Sequence, residues 1–161
     1  MKIAPTLRDA IGLTKAPAPS PAAPAAAIDL DTTAVAKALG YAGRVNGGVY
    51  QVSVPRAEPI MEHGMQIPPS MGLATAINFQ PTGGGKAAIT GDFVLTGDEV
   101  NPVIRALTSH GIEAVSIHSH LLEESPRLFF MHFWANDDAT KLATGLRAAL
   151  DATNSQKPVT R

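Results

Sequence analysis

The sequence predicts an α+β fold, a mainly antiparallel sheet of about five strands with helices packed on one face. Three observations lead there. Several segments alternate apolar and polar residues with the period of a strand, two others repeat apolar residues with the period of a helix, and most of the strand segments are joined by links of hairpin length.

The elements follow in order along the chain. Thr6 to Leu13 has Leu7 and Ile11 on one side and fits a short helix, too brief to be stable alone. Ala16 to Ala27 is Pro/Ala-rich; prolines remove backbone donors and favour extended chain, so residues 1–31 read as a flexible segment ending in a linker. Thr32 or Thr33 then caps a brief helix with Val35, Ala36 and Leu39 on one face, closed by Gly40. Tyr50, Val52 and Val54 alternate with polar residues as a strand, and so do Leu73, Thr75, Ile77 and Phe79. Pro81 to Gly85 turns the chain into a third strand, Lys86 to Leu95. Gly83-Gly84-Gly85-Lys86 lacks the spacing of a phosphate loop and leads into a strand, so it is read as a turn.

Val100, Val103, Ile104 and Leu107 recur at helical spacing, with Thr96 and Glu99 forming a capping box or Pro102 at the first turn, and Gly111 as the stop. Ile112 to Leu122 and Arg127 to Ala135 are strands rich in β-branched and aromatic residues, expected to form a hairpin through Glu123-Glu124-Ser125-Pro126. Core packing explains Phe129, Phe130, Phe133 and Trp134 first, and a pocket wall second. Asp137 or Asp138 opens a last helix whose stripe is Ala139, Leu142, Ala143, Leu146, Ala149 and Leu150. One domain is therefore expected over residues 32–153, followed by a tail, 154–161.

Composition narrows the function. The formal net charge is −1 with 13 scattered Lys and Arg, so there is no basic face for nucleic acid. No run approaches the roughly 18 apolar residues of a membrane span, and the first residues carry no export signal. The chain has no cysteine, so a metal would rest on imidazole and carboxylate.

Such groups do gather in one place. His118 and His120 stand two apart in a strand, on one face and about 7 Å apart at Cα. A hairpin centred near Pro126 puts position 120 opposite His132, which then joins them, with Glu124 near the turn as an oxygen donor. A register slip of one residue would separate them. Three neutral imidazoles and a carboxylate suit zinc, manganese, iron, cobalt or nickel. On this reading Glu124 is a ligand or general base and Arg127 orients an anionic group, in a metal-dependent enzyme acting on a small molecule. The same residues also fit a non-catalytic module that binds a metal or small ligand, or histidines that are purely structural and an Arg127 that merely pairs with Glu123 or Glu124. His110 fits the end of a helix, and His63 a solvated loop.

The string His118-Ser119-His120-Leu121-Leu122-Glu123-Glu124 resembles the ligand spacing of the first cupin motif, though cupins are all-β jelly rolls. A resemblance over most of the domain is carried by Asn78-Phe79-Gln80-Pro81, Gly91-Asp92-Phe93-Val94-Leu95, Glu99-Val100-Asn101-Pro102, His118-Ser119-His120-Leu121-Leu122, Glu124-Ser125-Pro126-Arg127 and Met131-His132-Phe133-Trp134. The chain resembles the LppY/LpqO lipoprotein-like family, a domain of unassigned function, which implies an exported or envelope location. It departs from that family in having neither a signal nor a lipobox cysteine.

Overall fold

The computed structural model describes residues 3–14, 17 and 27–158. Most of the Pro/Ala-rich linker lies outside the described residues. Helix α1 (Ile3–Gly12) buries none of its side chains. Helix α2 (Thr32–Leu39) is capped by Asp31, whose side chain accepts from Ala34 N–H at 2.9 Å, one residue earlier than the sequence suggests. Gly40 ends it in the left-handed conformation that spares glycine the Cβ clash.

The main sheet has six strands, not five. They are β1 (Arg44–Asn46), β2 (Val49–Pro55), β5 (Ala74–Gly83), β6 (Lys86–Leu95), β7 (Glu113–His118) and β8 (Phe129–Asp138), with β3 (Ile60–Glu62) and β4 (Met65–Ile67) forming a separate pair. The spatial order is β1-β2-β5-β6-β8-β7, and every pair is antiparallel. The additional strand β1 is a short hairpin arm joined to β2 through Gly47 and Gly48, both at positive φ. Asn-Gly-Gly is a strong hairpin turn, but an arm of three exposed residues has no apolar alternation to reveal it. Helix α3 (Gly97–Ser109) joins β6 to β7, and β8 inserts between those two strands before α4 (Ala139–Asp151) closes the domain. The capping box of Thr96 and Glu99 forms, so Pro102 lies inside α3 and does not begin it.

Helices α2, α3 and α4 cover one face. Val35, Leu39, Val103, Leu107, Leu142 and Leu146 pack there against Val52, Ile77, Phe79, Ile89, Phe93 and Phe133. The opposite face is covered at one end only, where Val94 and Phe130 meet Ile60, Leu73 and Leu128 in a smaller cluster. This is an α+β fold and not a jelly roll. The C-terminal segment continues against β2 beyond 153: Gln156 N–H donates to Pro55 O at 2.8 Å, and Ser155 is buried. Among the described residues no helix is long and apolar enough to cross a membrane.

Candidate functional site on the open sheet face

The pleat decides which side chains reach the open face. In β8, Met131, Phe133 and Ala135 point into the helical core, so Phe130, His132, Trp134 and Asn136 point the other way. The register differs from a hairpin centred at Pro126. Ser116 lies opposite His132 and His118 opposite Phe130, because β7 stops at His118 and the link to β8 at Phe129 is long; a bulge between Ala114 and Ser116 shifts only the pairs beyond it. The shift is an even number of residues, so His118 remains on the face of His132 as its diagonal neighbour. His120 lies beyond the strand end and reaches the group from the loop.

The link from β7 to β8 is longer than a hairpin turn. It folds back over the open end of the sheet, where Met61 and Ser125 exchange backbone hydrogen bonds of 2.9 Å. Leu128 and the half-buried Leu121 fill the small cluster beneath it. The Glu124 side chain is fully buried within the link. Its carboxylate accepts from Leu128 N–H at 3.0 Å and from Arg127 Nη1 at 3.2 Å. Arg127 also donates to Leu121 O at 2.9 Å and, through Nη2, to Ser119 Oγ at 2.9 Å. Glu124 and Arg127 thus hold the turn that carries His118 and His120.

The three histidines do come together. The Nε2 atoms of His118 and His120 are 3.1 Å apart. The His118 and His132 rings are stacked, with centroids 4.9 Å apart. The His120 ring lies flat on Phe130 at 3.5 Å. Burial and then the neighbouring His118 push the pKa of His120 below the ordinary histidine value, with His132 adding to this and Asp92 opposing it. Among the described residues, however, no three His, Asp or Glu side chains already stand at metal-binding geometry.

Asp92, which sequence reasoning did not single out, is the carboxylate at this cluster. It pairs with His132 across β6 and β8. Its Oδ1 lies 2.5 Å from His132 Nδ1 but accepts no aligned hydrogen bond; the same nitrogen faces Gly91 O at 3.2 Å. Only acceptors face Nδ1, an arrangement that favours the tautomer with its proton there and Nε2 as the acceptor nitrogen. The signal for Asp92 in the sequence was an acidic residue within an otherwise apolar and small strand. The other two histidines stand elsewhere: His110 caps α3 and contacts Ala106 O at 2.8 Å, while His63 is an exposed turn residue beside Glu62 and Glu123.

A family model described as a domain of unknown function (DUF1259) matches residues 33–152. No curated protein and no solved structure matches the chain.

Proposed function

The chain belongs to the DUF1259 family of domains of unknown function, and we propose that it binds one divalent transition metal on the open sheet face through His118, His120 and His132. The observation that carries this reading is the 3.1 Å separation of the His118 and His120 Nε2 atoms. Two imidazole nitrogens held about 2.0–2.1 Å from one ion stand roughly 3.0–3.4 Å apart. His132 completes the set by turning its ring out of the stack with His118. Its Nδ1 faces the acceptors Asp92 Oδ1 and Gly91 O, which leaves Nε2 as the nitrogen available to a cation, with the Asp92 carboxylate behind the ring. Glu124 and Arg127 serve by positioning the His118-Ser119-His120 turn, since both are already engaged within the link.

His118 and His120 are exposed, which leaves coordination positions open to solvent or a small molecule. A bound zinc, manganese or iron ion would supply Lewis acidity or an activated water there, and this supports a metal-dependent enzyme over a closed structural site. The second reading is a non-catalytic module, in which one neutral imidazole donates to the other across the same 3.1 Å and both are structural. The motif run from Asn78 to Trp134 supports placing the domain with the LppY/LpqO lipoprotein-like proteins, and with that an exported or envelope location.

Elemental analysis of protein purified without chelator tests the proposal. About one equivalent of metal is expected, with His120→Ala greatly reducing it and His63→Ala leaving it unchanged. Metal-free protein that also fails to take up zinc, manganese, iron, cobalt or nickel would return the histidines to the structural reading.

A further inference from the structure

Beyond the histidines, the same face carries the chain's one tryptophan. Trp134 is 49% exposed, on β8, which is hydrogen-bonded on both sides, to β6 and to the edge strand β7. It borders a cavity of about 330 Å³ with Gln51, Asn78, Gln80 and Thr90, over a floor that includes Ala88. No charged side chain lines this cavity. An exposed indole costs apolar hydration, and a neutral lining gives no attraction for ions.

The carboxamides are ordered in a relay. Asn46 Nδ2 donates to Gln51 Oε1 at 3.1 Å, Gln51 Nε2 donates to Asn78 Oδ1 at 3.1 Å, and Asn78 Nδ2 donates to Thr90 O at 3.2 Å. A carboxamide has two donor hydrogens and two acceptor lone pairs. The relay therefore fixes the orientation of Gln51 and Asn78 while leaving each a second donor and a second lone pair for a ligand. Those two residues also line an adjoining cavity of about 510 Å³ that reaches Gly43 and Arg44. Because Gln51 and Asn78 line both, the two cavities are taken together as one trough, with Trp134 at one end and its single charged lining residue, Arg44, at the other.

We propose that this trough binds a neutral oligosaccharide, with a pyranose ring stacked on Trp134 and further units running across Gln51 and Asn78. A pyranose has apolar C–H faces and an equator of hydroxyls that both donate and accept. That pattern matches a flat indole bordered by preoriented carboxamides. Cavities of this volume lie in or near the range of about 300–1,000 Å³ typical of small-ligand sites. The proposal is independent of the metal reading, since none of the three histidines lines either cavity.

The single tryptophan makes the test direct. Purified full chain is titrated with cellohexaose, maltohexaose, xylohexaose and chitohexaose, following indole emission and binding heat. At least one hexamer is expected to change the emission saturably and to bind about tenfold or more tighter than its monosaccharide. Trp134→Ala should remove the binding heat, while Gln51→Ala and Asn78→Ala should each weaken binding by about fivefold or more, with circular dichroism confirming folding. Absence of heat and emission change with all four sugars at about 10 mM, far above typical ligand concentrations for specific sites, overturns the proposal. So does undiminished binding by a folded Trp134→Ala variant, or tighter binding of sulfated than of neutral sugars.

Discussion

His120 shows how a residue's surroundings set its chemistry. Stacking on Phe130 shuts one ring face away from water, and that desolvation, reinforced by His118, lowers its pKa. A lowered value keeps the ring neutral and available to a metal near pH 7. It also sets a sign for stability: below the ordinary histidine value the unfolded chain takes up a proton that the folded chain refuses. Stability is unaffected above about pH 6.5 and declines as pH falls from there toward the lowered value. Urea denaturation of metal-free protein should therefore show a steeper loss between pH 7 and 5 than a His120→Gln variant does. Equal slopes would remove His120 from this account. Metal affinity should also weaken below about pH 6.5 as protons compete for the imidazoles, with His118, His132 and Asp92 all in the same electrostatic neighbourhood.

At the scale of elements, the start of α3 is tied to two distant segments through one carboxylate. Glu99 accepts from Thr96 N–H at 2.8 Å within the helix cap, from Arg56 at 2.6 and 2.9 Å, and from Asn154 N–H at 2.7 Å. Arg56, whose side chain is only 3% exposed, also pairs with Glu58. Burial by itself would raise the pKa of Glu99, but the hydrogen bonds from Arg56, Thr96 and Asn154 and the Arg56 charge outweigh it and hold it below the usual carboxylate value. This contribution is present above the unfolded glutamate value and is lost as pH falls through the lower folded value. Arg56 keeps Glu58 and Val94 O when Glu99 is removed, but the N–H groups of Thr96 and Asn154 lose their acceptor, so Glu99→Ala should cost about 1–3 kcal/mol near pH 7. The difference from the unsubstituted chain should shrink toward pH 3 in urea titrations; a constant gap would show that the loss is packing and not charge.

For the whole molecule, the proposed metal site would couple binding to folding. The three histidines come from β7, the following link and β8, so their proximity exists only in the folded chain. A metal at 100 times its dissociation constant should stabilise the fold by about 2.7 kcal/mol if the unfolded chain does not bind it. Thermal denaturation with and without zinc should show that upward shift, and His120→Ala should lose it. An unchanged midpoint at saturating zinc contradicts a site built by the fold.

The sequence by itself determined the helices and the longer strands, though not the short strands β1, β3 and β4. Apolar periodicity marked α3, α4 and the long strands, and the even spacing of His118 and His132 kept them on one sheet face despite the shifted register; Trp134, read first as a core residue, is instead half exposed on that same open face. Tertiary structure decided the register, the strand order and the chemistry of the carboxylates. The folded link from Ser119 to Leu128 moved the pairing away from Pro126. Insertion of β8 between β6 and β7 brought Asp92 to His132 across 40 residues of sequence, while packing buried Glu124 against Arg127. The physical reason is one of range. Side-chain periodicity is local and survives in the sequence, whereas a cross-strand neighbour depends on loop closure, bulges and burial, which belong to the assembled sheet.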